Sequence, residues 1–214
     1  MIEFSTQNDY WDAVAGKKTF TTVFQMELFR KYVDKKADIL DVGCGYGRTL
    51  NELSEQGYTT LCGVDFSSQM IRRGNERFPH LALRHHPHAG LPFQDERFDA
   101  VILLAVLTCI PEDGAQVFLL DELRRVLKIG GVIYINDFLL NQDQRNRDRY
   151  ERFKNVYGDY GVFKLEEGAI LRHHTEERVR TLIAPFHCLH YEKIVYRTMN
   201  GHRSNGFYFL GRKT

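Results

Sequence analysis

Read as apolar and polar positions, the chain alternates two rhythms. Predominantly apolar runs of strand length fall at 39–42, 59–65, 81–83, 98–104 and 132–136; strands covered on both faces of a parallel sheet need such runs. Around them, apolar residues recur every three or four positions. Phe20, Phe24, Leu28 and Tyr32 space a helix over 9–33, with Thr22 and Gln25 as its capping box. Thr49, Leu50 and Leu53 mark a helix that stops at Gly57, and Ser67 or Ser68 opens the next. Phe118, Leu119, Leu123, Val126 and Leu127 face inward on a helix over 115–127, ended by Gly130-Gly131. Tyr150, Phe153, Val156 and Tyr157 give an apolar face to 141–157, the stretch 158–175 reads as loop, and Pro185 ends a short helix over 176–184. Two closing strands, His187–Arg197 and 207–210, are separated by Asn200-Gly201 and Asn205-Gly206, which predicts an antiparallel hairpin. Strand and helix alternating five times predict an α/β, doubly wound domain.

Composition narrows the function classes. The 214 residues suffice for one domain with a substantial core. A formal net charge of +1 supplies no field that would draw in nucleic acid. Residues 1–10 are polar, so no signal peptide is expected, and no apolar run has the length of a membrane span. Cys44, Cys62, Cys109 and Cys188 show no CxxC spacing, which suits reduced thiols and a cytoplasmic location.

The candidate chemistry begins where the first run ends. Asp41-Val42 enters a turn, Gly43-Cys44-Gly45-Tyr46-Gly47-Arg48. Strand, glycine turn and helix together let a ligand lie against bare backbone at a helix N-terminus. Glycine is expected because a Cβ would strike the ligand and because some turn positions need φ > 0. A dinucleotide fingerprint would put its third glycine at position 48, which is Arg48; the third glycine comes one residue early, at Gly47. The second run closes on Asp65, about 20 residues beyond the glycines, where a carboxylate can accept both hydroxyls of a ribose.

Asp41-x-Gly43-x-Gly45-x-Gly47 is similar to motif I of the class I S-adenosylmethionine (SAM) methyltransferases. Leu123-Arg124-Arg125-Val126-Leu127-Lys128-Ile129-Gly130-Gly131 resembles the family's Arg-Val-Leu-Lys-Pro-Gly-Gly signature, with Ile129 in place of proline. Together with Asp65 and Leu91-Pro92-Phe93, the resemblance covers about residues 37–137. It implies a Rossmann-like domain with a seven-stranded, mostly parallel sheet whose last strand is antiparallel. It implies SAM as cofactor and S-adenosylhomocysteine (SAH) as product. Asp41 would orient the loop and the cofactor's amino end, with Gly43, Cys44, Gly45, Tyr46 and Gly47 forming the loop. Asp65 would hold the ribose, and Phe66 and Met70 would flank the adenine. Relatives often carry an acid against the adenine amino group shortly before Leu-Pro-Phe. This chain has His86-Pro87-His88 there, which leaves the His88 ring or a backbone carbonyl for that contact. Leu104 and Ala105 would lie beside the methionine part, and Thr108, Tyr10 and Trp11 would line the acceptor pocket.

The acceptor is less legible. The chain lacks the Asp/Asn-Pro-Pro-Tyr/Phe and Pro-Cys signatures of base-modifying relatives after 98–104. Small size and near-neutral charge favour a small-molecule acceptor, through O, N or S. A hydroxyl or ammonium acceptor must lose a proton, and His173, His174 and Asp137 are the candidate bases. Five basic residues from Arg145 to Lys154 alternate with Asp148 and Glu151, as on a solvated helix docked on the domain. The histidines at 85–88 have no companions at metal-ligand spacing, so no metal is expected. Two other classes stay open: a SAM- or SAH-binding module without transfer activity, and an NAD-dependent oxidoreductase, against which Gly47 and Arg48 argue. The expected map is a helical cap over 1–36, a cofactor core over 37–137, a substrate-covering part over 138–185 and a hairpin over 186–214.

Overall fold

The computed structural model describes residues 4–214; Met1, Ile2 and Glu3, the start of the predicted cap, lie outside the described residues. Five strands, β1 (Asp38–Val42), β2 (Thr60–Asp65), β3 (Ala82–His85), β4 (Phe98–Leu104) and β5 (Leu127–Phe138), pair in parallel. The closing hairpin adds β8 (His187–Arg197) and β9 (Arg203–Arg212). The seven-stranded order is β3-β2-β1-β4-β5-β9-β8, with β9 antiparallel to both neighbours. This is the doubly wound, Rossmann-like α/β sheet with its last strand reversed.

These runs are predominantly apolar because both faces of the central strands are covered. Val101 and Leu103 of β4 join Leu119, Leu123 and Val126 of α5 (Asp113–Val126) and Val179 and Leu182 of α7 (Glu176–Ile183). The alternate residues Ala100 and Ile102 face Leu50 and Leu53 of α3 (Arg48–Glu55) and Phe29 of α2 (Met26–Phe29). Each such fully buried Leu, Ile or Phe contributes about 1.5–3 kcal/mol. α4 (Ser68–Arg77) follows β2, with Ser67 as its N-cap accepting from the Met70 amide.

Several expected elements take another form. The predicted helix over 9–33 is split into α1 (Phe4–Val14) and the single-turn α2, with 18–25 irregular between them. The four-residue spacing of Phe20 and Phe24 serves separate contacts: Phe20 stacks on Tyr46 at 5.0 Å, and Phe24 packs on Tyr134 at 4.6 Å. The Thr22–Gln25 capping box is not formed; the Gln25 amide donates to the Tyr134 hydroxyl instead. Gly130-Gly131 does not end α5. That helix stops at Val126 because Leu127 turns extended to pair with Phe98, and Gly130 (φ +79°) lies inside β5. The stretch 158–175, expected as loop, contains a small hairpin, β6 (Val162–Lys164) and β7 (Ile170–Arg172). Before it runs α6 (Gln144–Tyr157), capped by Asp143. In the closing hairpin the turn is at Asn200-Gly201, while Asn205-Gly206 belongs to β9; a Cβ at Gly206 would fall 2.4 Å from the Tyr196 ring.

Candidate functional site

Parallel register brings the chemistry to one edge. Val42 is level with Val64 and Leu103, and Leu104 with Asn136. Asp41, Asp65, Leu104 and Asp137 therefore end their strands together, at the carboxyl edge where open α/β sheets bind ligands. A cleft opens above this edge. Its lining includes Asp41, Gly43, Cys44, Gly45, Asp65, Phe66, Met70, Leu104 and Ala105 from the expected cofactor set, and Tyr10, Trp11, Thr108 and His173 from the acceptor set.

The cofactor half is dominated by two buried carboxylates. Asp41 is 1% exposed and its Oδ1 has no hydrogen-bond partner. Burial pushes its pKa up to about 8; nearby Asp65 adds to the rise, and Arg48 opposes it. Asp65 accepts the Ser67 and Gly45 amides, each at 2.8 Å. Burial still raises it to about 6, and Asp12 adds to this against those two amide bonds. Asp12 ties α1 to the start of α4, accepting from the Ser67 hydroxyl at 2.6 Å and the Gln69 amide at 3.1 Å.

Of the two reasons expected for the glycine turn, the need for φ > 0 holds, and the crowding comes from the protein's own side chains. Gly43 and Gly47 are left-handed (φ +72° and +81°). A Cβ at Gly43 would lie 2.4 Å from Val106 Cγ2, and one at Gly47 would lie 2.9 Å from Leu83. Protein side chains fill the space at both positions. Gly43 still lines the cleft, whereas Gly47 and Tyr46 lie outside it; the Tyr46 ring stacks on Phe20 and carries the Arg73 guanidinium 4.0 Å from its centroid. His88 also falls outside. It is exposed and edges against His86, whose Nε2 meets the Gly90 carbonyl at 2.5 Å.

In the acceptor half the three candidate bases separate. Asp137 is fully buried outside the lining and accepts the Thr108 and Phe138 amides, at 3.1 and 2.7 Å. His174 is outside as well: Nε2 meets Gln116 at 2.9 Å and Nδ1 meets the Phe138 carbonyl at 3.2 Å. Both are tied into the protein, which removes them as bases for a substrate in the cleft. His173 does line it, stacked on Phe138 and edge-on to Phe163. Its Nδ1 meets the Tyr150 hydroxyl at 2.6 Å and Asn141 Nδ2 at 3.2 Å. Asn141 Oδ1 accepts the Asn205 amide, so the amide nitrogen faces the imidazole as a donor. Nδ1 is thereby the acceptor, and the neutral ring carries its proton on Nε2. Burial holds the His173 pKa well below the usual value, with the Arg149 charge adding to the effect. The Thr108 hydroxyl donates to the Arg172 carbonyl at 2.8 Å, so its proton is already committed.

The cleft also recruits residues that sequence reading passed over. Phe20 and Lys18 come from the irregular segment, and Arg145 and Arg149 from α6, which had been expected to be a solvated face. Their i, i+4 spacing was the available signal. Lys18 is tied to Glu167 at 2.7 Å, and Tyr10 donates to the same carboxylate at 3.1 Å, which joins α1's segment to the β6–β7 turn across the cleft mouth.

These residues fit SAM. The unpartnered Asp41 oxygen suits its ammonium, and Asp65, held by two amides at the end of β2, retains acceptor capacity for a ribose. Residues 40–135 match a family model described as a methyltransferase domain. Among curated proteins, the chain is 30% identical over 140 residues to a mouse (Mus musculus) eEF1A lysine and N-terminal methyltransferase, covering 58% of this chain and 20% of that protein. It is 30% identical over 137 residues to a phosphatidylethanolamine N-methyltransferase of Cereibacter sphaeroides, covering 60% and 65%. The chain thus spans from a fifth to somewhat under two thirds of the length of these relatives. Among solved structures, a SAM-dependent methyltransferase from Methanosarcina mazei superposes with a TM-score of 0.84 at 25% identity, over 90% of this chain and 98% of the other. Motif, sheet order, cleft and relatives agree: residues 40–135 match the methyltransferase-domain family, and the sheet as a whole is that of a solved SAM-dependent methyltransferase.

Proposed function

We propose that this protein transfers a methyl group from SAM to a small-molecule acceptor. The observation that carries the reading is the orphaned Asp41 oxygen, buried beside Asp65 in a cleft that continues past Ala105 into an aromatic chamber. Bound SAM supplies a sulfonium-borne methyl group for in-line displacement by a nucleophile, leaving SAH. Charge is neutralised along that displacement, so the chain's main tasks are alignment and exclusion of water. Asp41 and Asp65 hold the two polar ends of the donor. Tyr10 and Trp11 cover the mouth, and Phe138 and Phe163 give the acceptor an apolar wall.

His173 acts here as a donor. With Nδ1 engaged, its Nε2–H can orient an oxygen of the acceptor but cannot remove a proton from it. This favours an acceptor that reaches the cleft already nucleophilic. The two curated relatives named above are both named for nitrogen methylation, of lysine and N-termini in one and of phosphatidylethanolamine in the other; they share no substrate, so they do not identify the acceptor.

Calorimetry with SAH tests the donor half. Asp65→Ala should weaken SAH about tenfold, for the loss of charge-assisted hydrogen bonds to the ribose. An unchanged affinity removes Asp65 from the site. A second reading, a SAM- or SAH-binding module, is favoured by the engagement of all three expected bases, His173, His174 and Asp137, in hydrogen bonds within the protein. SAH binding without SAH release from SAM across a broad acceptor panel would select it.

A further inference from the structure

The two halves of the cleft differ in charge. Among the described lining residues, the carboxylates are Asp41 and Asp65, both in the donor half. The acceptor half carries Arg145 and Arg149, four residues apart on α6 and so on one face. Lys18 and Arg48 also line the cleft, but each already has a carboxylate, Glu167 and Glu52, both at 2.7 Å. Arg149 is different. Among the described residues no carboxylate pairs with it, and its Nε is buried without a hydrogen-bond partner. Its guanidinium carbon lies 3.6 Å from the centroid of the Phe163 ring, which fixes the plane of the fork. The nearest acid to Arg145 is Asp143 at 3.9 Å, and that carboxylate already accepts the Asn146 amide as the cap of α6.

A half-buried guanidinium without a counter-ion is costly, and arginine cannot shed its proton to relieve the cost. Solvent, the Phe163 ring and Tyr150 meet part of this charge, and an anionic ligand would meet the rest. The guanidinium's planar fork suits a carboxylate or a phosphate, and the donor-tautomer of His173 adds a neutral N–H on the same side. Around these donors, Phe138, Phe163 and Leu171 leave an apolar wall of aromatic dimensions.

We infer that the methyl acceptor is an anionic small molecule, its apolar body against Phe138 and Phe163 and its carboxylate or phosphate on Arg149, with Arg145 at the rim. The inference rests on reading this chamber as the acceptor half of a methyl-transfer cleft. It names a chemical class that neither the motifs nor the relatives specify.

Calorimetry on the SAH-saturated protein tests it, with benzoate, phenyl phosphate and the neutral benzamide as probes. At least one anion should bind, with benzamide tenfold or more weaker; which anion binds more tightly decides between carboxylate and phosphate. Arg149→Gln should abolish the preference, Arg149→Lys should keep part of it, and both should stay folded with the wild-type SAH affinity. Equal binding of benzamide, no binding of either anion, or an unchanged preference in Arg149→Gln would each overturn the inference. A tenfold loss of SAH affinity in Arg149→Gln would also overturn it, by assigning the guanidinium to the cofactor's own carboxylate. Should the wild type fail to bind SAH, the methyl-transfer reading falls, and the same three probes on SAH-free protein still decide the anion subsite.

Discussion

Replacing Asp41 by asparagine tests the donor site through its proton. In the free protein burial holds the Asp41 carboxyl at about 8, against an ordinary 3.8. Between those two values the folded state binds a proton that the unfolded chain has released. Stability therefore falls as pH rises through this window and levels off above about 8. The gap corresponds to an upper limit of about 6 kcal/mol. Asp65 and Asp137, raised to about 6 and 7, act with the same sign, so the informative quantity is the difference between wild type and Asp41→Asn. In urea unfolding the variant should gain several kcal/mol more over wild type at pH 8.5 than at pH 5.5. Cofactor binding should reverse the situation, because an ammonium placed against Oδ1 favours the charged carboxylate. At pH 7 the free site holds about 0.9 proton, which SAH should expel. Calorimetry in phosphate and in Tris, whose ionisation enthalpies differ, counts that proton directly. Asp41→Asn should release almost none and bind more weakly. No proton release by the wild type, or equal release by the variant, would refute the assignment of Asp41 to the cofactor's amino end.

Two further outcomes follow from the packing around the site. Gly43→Ala puts a Cβ 2.4 Å from Val106 at φ +72°, which should cost about 1–3 kcal/mol in urea unfolding; Val106→Ala in the same chain should recover part of it, and a loss below about 0.5 kcal/mol would show that the turn yields freely. His174 is held at about 4, mainly by burial and then by the Arg172 charge, so the unfolded chain binds more protons and stability should rise between about pH 4 and 6.5. His174→Gln should flatten that rise by about 3 kcal/mol, read from unfolding midpoints at pH 4.5 and 7; an unchanged slope would place the charge elsewhere.

The sheet was legible because buried parallel strands leave a local record. Ile39, Val101 and Ile133 sit in predominantly apolar runs since both faces are covered, and β4 falls at 98–104 as the run predicts. The donor half of the cleft was nearly as legible: Asp41, Gly43 and Asp65 stand at strand ends, and a parallel sheet puts strand ends side by side whatever the connections do. Segments that pack one residue at a time left a misleading record. Phe20 and Phe24 keep a four-residue spacing without a helix, because they insert singly against Tyr46 and Tyr134. The same holds for the acceptor half. His173, His174 and Asp137 look alike as titratable residues near a strand end or loop, and what separates them is which polar groups surround each one. Asn141 and Tyr150, 32 and 23 residues from His173 in sequence, decide its tautomer; Gln116 and Thr108 take His174 and Asp137 out of the cleft. Sequence by itself determined the sheet and the glycine turn, since these rest on periodicity and adjacent residues, and the resemblance of that turn to a known motif pointed to the methyl donor. Only the tertiary structure decided which side chains face the acceptor, because that depends on α6 docking Arg145 and Arg149 across the sheet edge, through contacts no local pattern encodes.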